Sequence, residues 1–359
     1  MSDDTLTNSH DDGLQGIPHV VFNLDEAASG PGPRAVAVGF FDGVHAGHQA
    51  IIRRLVSEAQ GTDLLPTCLT FEPHPLQVVG NGPGGPPMLT TLEEKVSIMN
   101  RMGVRQCVVA PFTPEFAGIS PYEFARGVLK ENLDARVVLV GYNFTFGSGG
   151  TATAEDLGRL GRDLGFRVII VEPVIVSGVP VSSTAVRQAV SRGDMAAARE
   201  MLGRPYSVSG RVVHGDGRGR TLGVPTANLD VPPGRLLPLR GVYATVAVAG
   251  EFRAASVTNV GSRPTFLGCA GPATPLQGAP DAGPGAVRVA VETHIPGFCG
   301  DLYGRTLEVR FLKRLRDERR FERREDLVKQ VLADALAALD LVSHDTPGGG
   351  WSGDSVEGL

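Results

Sequence analysis

The chain has 359 residues, 42% hydrophobic and 20% charged, with a formal net charge of −5 and a pI near 5.9. That is the make-up of a soluble globular protein of two domains, and its acidic balance argues against a dedicated nucleic-acid binder. Cys68, Cys107, Cys269 and Cys299 are scattered, without Cys-x-x-Cys spacing or neighbouring histidines. This suits a reducing compartment rather than a zinc site or a disulfide framework. Residues 1–16 lack the basic-then-apolar order of a secretory signal. No apolar run reaches the ~18 residues of a membrane span; the best, Val168–Val176, is broken by Glu172 and Pro173. The expected location is the cytoplasm, with neither membrane nor nucleic acid as partner, and self-association left open.

In chain order, 1–16 reads as a disordered tail. Strands are expected at Arg34–Phe40, Leu65–Phe71, Gln106–Ala110, Ala135–Val140 and Val168–Val171. Helices are expected at His48–Gln60, Leu92–Met102, Pro121–Glu131 and Ala154–Leu164. Strands alternating with helices imply crossovers and a doubly wound parallel sheet. The stretch Thr184–Leu202 reads as a helical joint ending at Gly203 and Pro205. Beyond it come Val208–Val213, Gly241–Val248, Phe252–Val260, Val287–Thr293 and Thr306–Leu312, strands without helices between them, which point to a small antiparallel barrel or sandwich. Val242, Ala244, Val246 and Val248 alternate as in a half-buried strand. A charged helix, Arg319–Leu339, closes the run before a second tail. Gly80–Pro87 and Gly268–Gly285 read as flexible surface insertions.

The first chemical signal is Gly39-Phe-Phe-Asp-Gly-Val-His-Ala-Gly-His48, where the first strand ends and a helix begins. Open parallel sheets bind ligands beyond strand carboxyl ends, and free N–H groups at a helix start favour phosphate. Gly39, Gly43 and Gly47 permit close backbone approach. His45 and His48, three apart, fall on one side of a first helical turn, suited to charge developing on phosphorus.

This pattern resembles the HxGH nucleotidyltransferases in the form carried by prokaryotic FAD synthetases. The resemblance implies adenylyl transfer from ATP to FMN with loss of pyrophosphate, His45 and His48 steadying the α-phosphate. It assigns Gly39, Phe41 and Asp42 to nucleotide and flavin binding. Thr70-Phe-Glu-Pro-His-Pro75 matches the same family, implying a pocket lined by Phe71, Pro73 and His74, although many members carry Asp in place of Glu72. Gly141-Tyr-Asn-Phe-Thr-Phe-Gly147 also matches, implying Asn143 near nucleotide and Phe146 near isoalloxazine. Taken alone, these phenylalanines are better read as core. Ser182-Ser-Thr-Ala-Val-Arg187 opens a helix; singly it is an ordinary N-cap. Within the family pattern, Ser183, Thr184 and a catalytic Arg187 form a triphosphate clamp.

No G-x-x-x-x-G-K-[S/T] occurs, so a Walker-type kinase is excluded at the motif level. Gly210-Arg-Val-Val-His-Gly-Asp-Gly-Arg-Gly-Arg220 followed by Thr221-Leu-Gly-Val-Pro-Thr-Ala-Asn228 joins a basic glycine loop, able to cradle phosphate, to two neutral oxygen side chains two residues apart. Composition leaves open whether this is a site or a polar hairpin. The run resembles the G-R-x-L-G-x-P-T-A-N-L signature of riboflavin kinases, with Val224 where many members have Phe. The resemblance implies binding by Gly215, Gly219, Arg220, Gly223, Pro225, Thr226 and Asn228, with Thr226 and Asn228 on Mg²⁺. Gly241-Val-Tyr-Ala and Asn259–Phe266 fit the same pattern. Val291-Glu-Thr-His294 matches its V-E-[ST]-H strand, making Glu292 the base for the riboflavin 5′-hydroxyl. Phe311–Phe321, a basic stretch entering a helix, resembles the closing R-D-E-x-x-F segment.

The chain is therefore expected to hold an FMN adenylyltransferase domain at 17–187, a linker helix at 188–205 and a riboflavin kinase domain at 206–340. Tails lie at 1–16 and 341–359. ATP is co-substrate; riboflavin, FMN and FAD are substrates and products; Mg²⁺ is the metal. The rival readings are a nucleotidyltransferase for another acceptor and a flavin-binding or riboflavin-sensing protein descended from the enzyme.

Overall fold

The computed structural model describes residues 19–30, 32–79, 85–215, 219, 222–262, 289–319 and 321–344. The chain divides into two compact units. One takes in residues 1–41, 48–83 and 92–172; the other takes in 42–47, 84–91 and 173–359. Residues 1–16 and 345–359 of the two expected tails, Arg220, residues 263–266 of the Asn259–Phe266 segment and the Gly268–Gly285 stretch lie outside the described residues. Residues 341–344, expected as tail, instead complete the last helix, with Val342 buried.

In the first unit, strands β1 (His19–Val21), β2 (Arg34–Val38), β3 (Leu65–Glu72), β4 (Gln106–Pro111) and β5 (Ala135–Gly141) are followed by a small ribbon, β6 (Thr145–Phe146) with β7 (Ala152–Thr153), and then β8 (Arg167–Val171). The six-stranded sheet runs β1-β4-β3-β2-β5-β8 with parallel pairing throughout. All five residues of β2 are buried, as expected of a sheet covered on both faces. Arg34 among them is tolerated because its guanidinium donates to Gln106 Oε1, Leu133 O and Ala27 O at 2.7–3.0 Å.

From β2 the chain runs one way through β3 and β4, and the other way through β5 and β8. The direction of winding therefore reverses beside β2, and its carboxyl end is the switch point where such sheets take ligands. Helix α1 spans Leu24–Ala28. Helix α2 (Ala46–Ala59) starts just past the Gly39–Val44 turn and buries Ile51, Ile52, Leu55 and Ala59. The expected helix at Pro121–Glu131 is present but winds with π-type turns from Phe124 to Asn132.

From residue 173 on, the second unit opens with a short hairpin, β9 (Ile175–Val176) and β10 (Val179–Pro180). The expected single helical joint is two helices, Ser183–Ser191 and Met195–Leu202. Gly193 takes φ 74°, and Asp194 caps the second helix by accepting from Ala197 N–H at 3.0 Å. There follows a closed antiparallel barrel of β11 (Tyr206–Val213), β12 (Thr226–Asp230), β13 (Gly241–Ala249), β14 (Phe252–Ser262), β15 (Val289–His294) and β16 (Thr306–Arg316).

Two expectations change here. β13 is buried on both faces rather than one. Tyr243 and Ala247 point into the barrel core with Val208, Val260, Val309 and Phe311, while Val242, Ala244 and Val246 are covered by Ala335, Ala338 and Val342 of the closing helix, Arg324–His344. That helix starts later than Arg319 because the basic run Phe311–Arg316 continues β16 instead of entering a helix. Inside the barrel, Thr245, Ser256, Thr258 and Thr293 satisfy one another through hydroxyl bonds of 2.8–3.0 Å.

Candidate active sites

Beyond β2 the backbone turns tightly. Gly39 N–H donates to Leu69 O at 3.1 Å, and a Cβ on Gly39 would sit 3.2 Å from the Phe41 ring. Phe41 is fully buried at φ 56°, and its ring meets His48 edge-on, centroids 5.2 Å apart. A residue that the sequence did not flag supports this turn. Lys95, 2% exposed, donates to Phe40 O at 3.0 Å and Thr70 Oγ1 at 3.1 Å. It also sits over the Phe40 ring.

Phe71, Pro73, His74, Asn143 and Phe146 also lie in the first unit. The His74 ring packs on Phe40 at 4.0 Å and its Nδ1 accepts from Leu76 N–H. Phe71 is buried against Phe112 and Phe116, and Pro73 follows a cis peptide. Asn143 is exposed. Phe146 is buried against Phe124 and Phe144; Phe144 is the more exposed of the two candidate rings.

Asp42, His45, Ser183, Thr184 and Arg187 lie in the second unit, and there the structure brings most of them together. Asp42 is 1% exposed. Its carboxylate accepts from Leu89 N–H, Thr90 N–H and Arg187 Nη2, at 3.0, 3.1 and 2.6 Å. Arg187 Nε donates to Pro87 O at 2.9 Å. Ser183 Oγ donates to Asp42 O at 3.0 Å, while Ser182 is the residue that caps the helix. Thr184 is exposed on the first helical turn. Arg204, which the sequence did not single out, donates to Gly43 O at 2.7 Å and Val44 O at 3.2 Å.

His45 is 5% exposed in this cationic setting. Burial, then the charges of Arg187 and Arg204, pull its pKa down to about 4. It therefore acts as a neutral imidazole near pH 7, a hydrogen-bonding group rather than a second positive charge.

On the barrel, Leu229, Val291 and Val260 face one another across β12, β15 and β14 and belong to the interior core. Alternation puts the next row, Asn228, Glu292 and Asn259, on the outer face. Glu292 is thus flanked in register by two amides. Asn259 Nδ2 donates to Glu318 Oε1 at 3.2 Å, joining the Asn259–Phe266 and Phe311–Phe321 segments that resemble the kinase pattern. Thr226 shares the outer face of β12 with Asn228, opposite His294, whose Nδ1 donates to Pro225 O at 2.8 Å.

Gly215 and Gly219 lie close to residues of β12 and its lead-in. A Cβ on Gly215 would be 2.6 Å from Asn228 Cγ, and one on Gly219 would be 2.5 Å from Val224 O and 3.5 Å from Thr226 Oγ1. Gly223 takes φ 75°. Among the described residues no group of three or more His, Cys, Asp or Glu is placed to hold a metal. The neutral oxygens of Thr226 and Asn228 are nevertheless of the donor type that suits Mg²⁺, which keeps waters and leans on substrate phosphates.

Family models match the chain twice: FAD synthetase over residues 28–185 and riboflavin kinase over 202–342. The bifunctional riboflavin kinase/FMN adenylyltransferase of Escherichia coli K12 is 35% identical over 313 residues, 87% of this chain and 94% of that protein. Its counterpart in Bacillus subtilis is 30% identical over 332 residues, 91% and 96% of the respective chains. A solved structure described as a macrolide-efflux protein from Streptococcus pneumoniae superimposes with a TM-score of 0.77 at 30% identity, covering 90% of this chain and 99% of that one. Among the described residues no helix is long and apolar enough to cross a membrane. With both modules present in order and such relatives matched over most of their length, the chain belongs to the bifunctional riboflavin kinase/FMN adenylyltransferase family.

Proposed function

We propose that the family's two reactions run at two separate sites on this chain, with Glu292 as the base for riboflavin phosphorylation and His45 and His48 at the adenylyl-transfer centre. The observation that carries the kinase assignment is the row Asn228–Glu292–Asn259 on the outer barrel face, beside the loop glycines. Glu292 takes the proton of the riboflavin 5′-hydroxyl; the oxygen attacks the γ-phosphorus of ATP, and ADP leaves. Backbone N–H groups of the loop that includes Gly215 and Gly219 hold the phosphates, together with Arg220. Thr226 and Asn228 would hold Mg²⁺, which supplies neutralising charge to the transferring phosphoryl group.

In the second reaction the FMN phosphate is already anionic and needs no base. Its oxygen attacks the α-phosphorus of ATP in line, and pyrophosphate leaves. Neutral His45 steadies the developing charge by N–H donation, and His48 is assigned to the same step. Exposed Thr184 is available to the triphosphate. Arg187 takes a positioning role, because its Nε and Nη2 already serve Pro87 and Asp42. Buried free thiols at Cys68 and Cys107 support a reducing, cytoplasmic setting.

The test is a time course of riboflavin with ATP and Mg²⁺, products separated by HPLC. FMN should appear first and FAD follow, each dependent on ATP. A chromatogram in which FMN accumulates but never becomes FAD would remove the second assignment.

A further inference from the structure

The Gly80–Pro87 stretch reads from sequence as flexible insertion, yet the described residues that end it and follow it are fixed at both edges. On one edge, Met88 N–H donates to Gly234 O at 2.8 Å and Leu236 N–H donates to Met88 O at 2.9 Å, a parallel bridge onto the segment between β12 and β13. That segment is itself anchored: Tyr206 Oη donates to Leu236 O at 2.6 Å, and Arg235 donates to Ser207 O at 2.6 Å. On the other edge, Leu89 and Thr90 give their N–H groups to Asp42, and Thr90 Oγ1 accepts from Gly43 N–H at 3.0 Å.

Gly43 has φ 76°, and a Cβ there would lie 2.9 Å from Leu89 Cδ1. Leu89 is 1% exposed and belongs to the core cluster shared with Tyr206, Leu236 and Tyr243. The first half of the histidine-bearing turn is therefore seated in the same core as the barrel. Asp42 has its charge matched by Arg187 and its lone pairs taken by the Leu89 N–H and the Thr90 hydroxyl. Such a carboxylate orders the turn rather than meeting substrate.

We propose that residues 85–91, with Asp42 and Thr90, form a positioning strap through which the kinase-bearing unit sets the geometry of the adenylyl-transfer turn. This rests on the reading of His45 as an adenylyl-transfer residue. The strap supplies no group to the reaction; it fixes where His45 sits. Displacements of the order of 1 Å at a reacting centre are costly, on the order of a hundredfold in rate.

The experiment uses the full chain with Thr90→Val, which keeps the shape of the side chain but removes the acceptor for Gly43 N–H, and Thr90→Ser, which restores it. With FMN and ATP as substrates, Thr90→Val should lower kcat for FAD formation about tenfold with KM changed less than about twofold. Riboflavin phosphorylation should hold at the wild-type rate, and Thr90→Ser should recover FAD formation. Hydrogen exchange on the wild-type protein should show the Met88 and Leu236 amides protected as well as barrel amides.

Unchanged FAD formation in Thr90→Val, an equal fall in kinase rate, failure of the serine to rescue, or fast exchange at Met88 and Leu236 would each overturn the proposal. His45→Ala separates the two layers. If it leaves FAD formation normal, the site assignment itself falls. If it stops FAD formation while Thr90→Val does not, only the strap falls.

Discussion

Acidification from pH 7 to pH 5 puts the setting of His45 under strain. The imidazole is buried, and burial followed by the charges of Arg187 and Arg204 lowers its pKa from 6.5 to about 4. In the unfolded chain the same group titrates near its ordinary value. Between the two values the unfolded state binds more protons, so stability is present above about pH 6.5 and is lost as the pH falls towards 4. The full difference corresponds to about 3 kcal/mol, of which about 2 kcal/mol should be lost between pH 7 and pH 5. Urea unfolding followed by tryptophan-independent far-ultraviolet circular dichroism at both pH values, on the wild type and on His45→Gln, isolates this contribution. The wild type should lose about 2 kcal/mol more than the variant. Equal losses, or an imidazole resonance of His45 that titrates near 6.5, would refute the reasoning.

Gly215→Ala should depress riboflavin phosphorylation at least tenfold and leave FAD formation from FMN intact, since its methyl would collide with Asn228; steady-state assay of each half-reaction checks this. Arg316→Ala leaves Asp334 buried without the partner it meets at 2.8 Å between β16 and the closing helix. It should cost ~3–5 kcal/mol, visible as a lower thermal midpoint, whereas Arg316→Met with Asp334→Leu should cost less. Chelation of divalent ions with EDTA should stop both reactions, and Mg²⁺ should restore them; turnover in metal-free buffer would count against Thr226 and Asn228 as ligands.

Strand alternation and helical spacing carried the architecture because both periods are written in local side chains. The parallel sheet, the barrel and most element limits follow from them. The misreadings share a physical origin in contacts between segments distant in sequence. β13 looked half-buried because nothing in Val242–Val248 reveals that the closing helix will cover its outer face. Phe311–Arg316 looked like a helix entry because its charges are matched only after folding, as Arg316 meets Asp334. At the end of the Gly80–Pro87 stretch, Pro87 O is held by Arg187, a contact that composition does not announce.

At the candidate sites the motifs pointed to the Gly39–His48 turn and the Ser182–Arg187 helix start, but spacing alone does not announce the ion pair that joins Asp42 to Arg187. Thr90, Arg204 and Lys95 had no signature, since a lone hydroxyl or cation gains meaning only from what it faces.

The central claim is that two independent centres share one chain. Glu292→Gln, with riboflavin and FMN supplied in separate reactions alongside ATP and Mg²⁺, tests it most directly. The account requires FMN formation from riboflavin to vanish while FMN is converted to FAD at the wild-type rate. Loss of both conversions in a variant that remains folded, or retention of the first, would contradict it.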